Sequence, residues 1–197
     1  MSSSQKTVIA EVLSFFTNPI FVLIAAIAYI AHLFADDPGD FVNWSLIGVG
    51  LLIAPALLFA SYDWYKDRKI DIDISQRKER FVPMLLATLG AFIGSYLVNT
   101  RASNESLLLV GYVLVALLMA LTIVTFVWKI SLHTSTLSAA IMLLTIFKGP
   151  AYVFWIIIVI PVAWARIYLK QHTLSQVTAG SLFGVGITFV AWLIFRA

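Results

Sequence analysis

Long apolar runs, almost free of charge, constrain this chain more than anything else in it. A helix crossing ~30 Å of hydrocarbon needs roughly 20 apolar residues at ~1.5 Å each. Seven runs approach that length: roughly Pro19–Phe34, Trp44–Tyr62, Phe81–Val98, Leu107–Val127, Ser131–Phe147, Ala151–Ala165 and Thr173–Phe195. The fifth and sixth are short and are parted only by Lys148-Gly149-Pro150, which predicts a helical hairpin with Gly and Pro at its turn. Of 197 residues 61% are hydrophobic and only 12% charged, with a mean hydropathy of +0.96. A soluble domain carries about 25% charged residues, so the surplus apolar surface requires lipid. The predicted fold is all-α, a polytopic transmembrane helical bundle with six or seven spans, forming a single integral membrane domain over residues 1–197.

The joints between runs carry the polar residues. Thr7–Phe16 is amphipathic and is expected along the interface before Asn18-Pro19 turns the chain inward. Asp36–Asp40 and Asn99–Ser106 are turn-rich, and Asp63–Arg80 is the one long polar stretch. Met1–Thr17 lacks the cleavage pattern of a signal peptide. The absence of cysteine removes disulfides and thiolate metal sites. The small net charge of +3, with basic residues between spans, argues against nucleic acid as a partner.

With seven spans, parity brings three polar clusters to one membrane face: Asp63–Arg80, Trp128-Lys129 with His133, and Arg166–His172. Of the 13 Lys and Arg, only Arg101, Lys148 and Arg196 fall on the opposite side, leaving ten on the motif face. The positive-inside rule then expects that face in the cytoplasm.

Each cluster has a plain structural explanation by itself. Ser131 or Thr134 suits the N-cap of the next span, with His133 hydrogen-bonded nearby. Arg166 and Lys170 suit snorkelling side chains in an interfacial loop. Together, two His and several Arg or Lys on one face fit a phosphoryl group. Arg supplies fixed donors to phosphate oxygens. One His can attack phosphorus while the other protonates the leaving oxygen.

The segments Ser131–Ser135 (SLHTS) and Ala165–Gly184 (ARIYLKQHTLSQVTAGSLFG) resemble the second and third motifs of the type 2 phosphatidic acid phosphatase family, membrane enzymes that share a helical core with vanadium haloperoxidases. The family's third motif is Ser-Arg, five residues, His, three residues, Asp. Here it is Ala165-Arg166, five residues, His172, three residues, Gln176. The second, Pro-Ser-Gly-His, is Ile130-Ser131-Leu132-His133. The first, Lys, six residues, Arg-Pro, has Asp73 at the Lys position, Arg80 at the Arg, and Pro only at Pro83. The resemblance covers about residues 63–190.

It implies that His172 is the nucleophile forming a phosphohistidine, His133 the general acid, and Arg166 and Arg80 phosphate-binding, with Ser131 a further donor. Lys129, with Arg77 and Lys78, is a nearby phosphate-binding candidate. Gln176 stands where the family has Asp. Four residues from His172, its amide oxygen can accept from a ring N–H and fix the tautomer, but it cannot supply the charge. Asp73 and Glu79 are the nearest carboxylates in motif terms that could compensate.

The resemblance implies a metal-independent phosphatase, without cofactor, acting on a lipid phosphate or isoprenyl diphosphate among membrane lipids. The alternative is a non-catalytic phospholipid-headgroup binder with a degenerate site, which Gln176 and Leu132 favour. A small transporter fits less well, because the polar residues gather at one face instead of along a path.

Overall fold

The computed structural model describes residues 2–67, 77–101 and 104–196, and among these no strand occurs. Among the described residues eight α-helices follow one another: α1 (Ser3–Phe16), α2 (Pro19–Phe34), α3 (Pro38–Asp67), α4 (Phe81–Arg101), α5 (Glu105–Val127), α6 (Leu132–Lys148), α7 (Val159–Tyr168) and α8 (Leu174–Arg196). Two 3-10 segments, Arg77–Arg80 and Pro150–Ile158, precede α4 and α7. Each of the seven apolar runs lies in a helical segment.

The expected count of six or seven crossings is not confirmed. Among the described residues four helical stretches are long and apolar enough to span a bilayer: Phe81–Arg101, Glu105–Val127, Pro150–Tyr168 and Leu174–Arg196. A fifth is added if the bent pair α1 and α2 is one span. The fifth apolar run becomes α6, only 17 residues long and rich in buried Ser, Thr and His. The described spans leave large apolar side chains such as Phe92, Ile123, Leu182 and Ile194 exposed, as lipid contact requires, and they fit an integral membrane protein.

The chain divides into two compact units, Met1–Leu23 with Lys129–Ala197, and Ile24–Trp128. In the second, α4 packs against α3 and α5. A side chain at Gly90 would run into the Leu51 carbonyl, so glycine permits the close α3–α4 approach. Asn104 caps α5 by accepting from Ser106 and Leu107 N–H groups. The expected Asn99–Ser106 loop is therefore shorter, since α4 runs to Arg101 and α5 starts at Glu105.

In the first unit α6 packs on α8, the 3-10 segment and α7, and α1 packs on α7. The expected hairpin is present. Gly149, at φ 109° in the left-handed region, ends α6, and Pro150 opens the next segment. Two glycines set the α6–α8 spacing. A Cβ on Gly180 would stand 2.6 Å from the Ser131 carbonyl oxygen, and one on Gly184 would stand 3.0 Å from the Ala139 nitrogen. The contact advances along α6 as it advances along α8, so the two helices run in the same direction. Their N-termini share one end of the unit.

Candidate active site

That shared end gathers most of the residues singled out from the sequence. Ser131 is the N-cap of α6, its hydroxyl oxygen accepting from the Thr134 N–H. Its own N–H donates to the Gln176 carbonyl at 3.3 Å, and the Thr134 hydroxyl donates to the Val177 carbonyl at 3.0 Å. These bonds tie the first turns of α6 and α8 together. Two parallel helices thus present their positive ends side by side, which favours an anion.

His172 lies in the turn between α7 and α8, and its Nδ1 is 3.0 Å from Gln176 Oε1. The same oxygen accepts from the Thr173 N–H at 3.2 Å, while the Thr173 hydroxyl accepts from the Gln176 N–H at 3.4 Å. Thr173-Leu174-Ser175-Gln176 is thus a capping box for α8, a signal present in the sequence that the motif comparison passed over. A backbone N–H only donates, so the Gln176 atom facing it is the amide oxygen. That oxygen only accepts, so His172 carries its proton on Nδ1. The lone pair is left on Nε2.

Arg166, in the last turn of α7, is 1% exposed. Its carbonyl accepts from the Gln171 and His172 N–H groups at 3.0 and 3.2 Å, so it shapes the turn that carries His172. Lys170 in that turn has φ 55°. The Arg166 Nη1 donates to the hydroxyl of Ser14, on α1. His133 Nε2 lies 3.2 Å from the Ser14 carbonyl oxygen and 3.5 Å from its hydroxyl. His133, Ser14, Arg166, His172, Gln176 and Ser131 therefore form one continuous hydrogen-bonded cluster, and both His are buried. Ser14 was missed because no chemical motif surrounds it. The one local signal is that the small residues Ala10 and Ser14, four apart, form the buried face of α1. Lys129 is half-buried in the short link between α5 and Ser131.

Arg80 belongs to the second unit, where it ends the 3-10 turn before α4 and is 2% exposed. Arg77, in the same turn, donates to the Thr125 carbonyl at 3.3 Å and to the Phe126 carbonyl. It caps the C-terminus of α5, a structural engagement that accounts for the residue without phosphate. Glu79 is exposed. Asp73 and the Lys78 side chain lie outside the described residues.

Buried Arg and His donors, an N-cap hydroxyl and two helix N-termini make an arrangement suited to binding and reacting with a tetrahedral oxyanion. The chain matches no curated protein and no solved structure. Residues 125–197, which carry Ser131, His133, Arg166, His172 and Gln176, match the sequence model of the PAP2 superfamily, so that this C-terminal segment is similar to that family.

Proposed function

We propose that this protein is a membrane phosphatase that hydrolyses a lipid phosphate or an isoprenyl diphosphate through a phosphohistidine. The observation that carries the reading is the His172–Gln176 pair, which holds the His172 proton on Nδ1, in one cluster with Arg166 and His133. His172 Nε2 attacks phosphorus, forming the N–P bond as the P–O bond to the lipid breaks. His133, as the imidazolium, gives a proton to the departing oxygen. Arg166 stabilises the charge on the equatorial oxygens, aided by the helix N-termini. Water then cleaves the N–P bond with His133 as base, which restores both rings and releases inorganic phosphate. Lys129 is proposed as a further phosphate contact. Apolar spans favour a lipid substrate, whose headgroup reaches the site from the bilayer while its tail stays in hydrocarbon.

The test is phosphate release from a panel of lipid phosphates and isoprenyl diphosphates by purified protein in detergent. Release is expected from at least one of them and is lost in His172→Asn. A second reading, a non-catalytic headgroup binder, is favoured by Gln176 in place of the family's Asp and Leu132 in place of its Gly. Headgroup binding without any phosphate release would select it.

A further inference from the structure

We propose that Ser14, on the N-terminal helix, is a positioning residue of this site: its carbonyl oxygen fixes the His133 tautomer and its hydroxyl oxygen anchors the Arg166 guanidinium. The inference rests on the phosphatase reading for its consequences but not for its geometry.

A carbonyl oxygen only accepts. His133 Nε2, 3.2 Å from the Ser14 carbonyl, is therefore a donor and carries a proton. An arginine only donates, so the Ser14 hydroxyl oxygen accepts from Arg166 Nη1. One residue thus presents two acceptor oxygens to the two side chains assigned as proton donor and phosphate ligand. Ser14 is 6% exposed. Little water competes for these donors, and a hydrogen bond to a charged group in such a place contributes about twice a neutral one.

The two histidines are consequently held in opposite tautomers. His172 keeps its proton on Nδ1 and reacts through Nε2. His133 keeps a proton on Nε2, and its exchangeable proton is the one on Nδ1. As imidazolium it gives the Nδ1 proton to the leaving oxygen and returns to the neutral form with Nε2–H still on Ser14. No other proton needs to move, and the ring need not turn between the two half-reactions. The logic is that of any histidine whose second nitrogen is pinned by an acceptor. In this case the acceptor is backbone from a helix more than a hundred residues away, as the separation of 119 residues records.

The experiment uses full-length protein in detergent, labelled with ¹⁵N-histidine, the signals assigned with His133→Gln and His172→Asn. In the neutral form His133 is expected protonated at Nε2 and His172 at Nδ1. A neutral His133 protonated at Nδ1 overturns the proposal. The second arm is vanadate inhibition and phosphate release by Ser14→Ala. That variant keeps the carbonyl but removes the acceptor for Arg166. Vanadate affinity should fall about 10- to 100-fold, KM should rise, and kcat should change less. Ser14→Thr, which restores the hydroxyl, should recover the lost affinity. Ser14→Ala with wild-type vanadate affinity and KM overturns the anchoring of Arg166. Wild-type protein that neither releases phosphate nor responds to vanadate overturns the phosphatase reading instead, while the histidine signals still decide the Ser14–His133 contact.

Discussion

Gln176 Oε1 accepts from His172 Nδ1 at 3.0 Å and, at 3.2 Å, from the Thr173 N–H that opens α8. One oxygen therefore orients His172, the proposed nucleophile, and caps a helix. A carboxylate there would keep both bonds and also stabilise the cation that the proposed attack of His172 on phosphorus would form. Gln176→Glu, of equal length, is expected to raise turnover. Gln176→Asp is shorter by one methylene and should gain less. Gln176→Leu removes both bonds and should lower kcat on the order of 100-fold, the usual effect of misplacing a reacting group. Steady-state phosphate release for the three variants checks the order Glu, Asp, wild type, Leu. Turnover unaffected by Gln176→Leu would show that another group orients His172.

The α6–α8 contact predicts a contrast among glycines of one helix. A Cβ at Gly184 meets the Ser135 carbonyl and lies 3.0 Å from Ala139 N, whereas one at Gly186 meets nothing within 4 Å. Gly184→Ala should force the helices apart, destabilising by about 1–3 kcal/mol and reducing activity through the displaced helix ends. Gly186→Ala should be neutral or stabilising, because Ala has the higher helix propensity. Thermal unfolding in detergent separates the two.

Two arginines should respond differently to truncation. Arg77 holds the Thr125 and Phe126 carbonyls at the end of α5, so Arg77→Ala is expected to destabilise by about 1 kcal/mol with little change in KM. Arg166→Ala should abolish measurable phosphate release. Arg166→Lys should restore little of it, because an ammonium cannot reproduce a planar fork of donors. Melting temperature and KM measured on the same preparations make the comparison.

The cluster supplies Arg, His and Ser side chains, and among the described residues no three His, Asp or Glu side chains come together as a metal site. Phosphate release is expected to survive EDTA, and vanadate is expected to inhibit. Activity lost in EDTA and restored by Mg²⁺ or Zn²⁺ would replace the phosphohistidine mechanism with a metal-assisted one.

Sidedness can be read with one label, because the chain has no cysteine. Ser175 is exposed in the first turn of α8. In intact cells Ser175→Cys should resist an impermeant maleimide, and it should react once the cytoplasmic side is opened. The charge bias of the loops motivates this expectation, and labelling from outside would reverse the assignment.

Much of the fold was legible, because apolar runs of spanning length have one solution in lipid. The contact of His172 with Gln176 followed from a spacing of four, and Ser131 as N-cap followed from residue type. The count of six or seven crossings is not confirmed. Composition alone could not reveal that Pro150–Ile158 forms a 3-10 segment, or how many Ser, Thr and His side chains of α6 are buried. Ser14 was beyond reach for a different reason. Its partners are 119 and 152 residues away, and no local pattern encodes a contact made by tertiary packing.

Arg166 takes part in the site with its guanidinium, on Ser14, and with its carbonyl, which binds the Gln171 and His172 N–H groups. The second role needs no particular side chain. A descendant that lost the arginine would lose the guanidinium contact with Ser14, yet its main chain would still fold the turn that presents His172. Function and architecture at this position can therefore be inherited separately. The turn that carries His172 is therefore a property of the main chain, and it would persist whatever side chain stood at position 166.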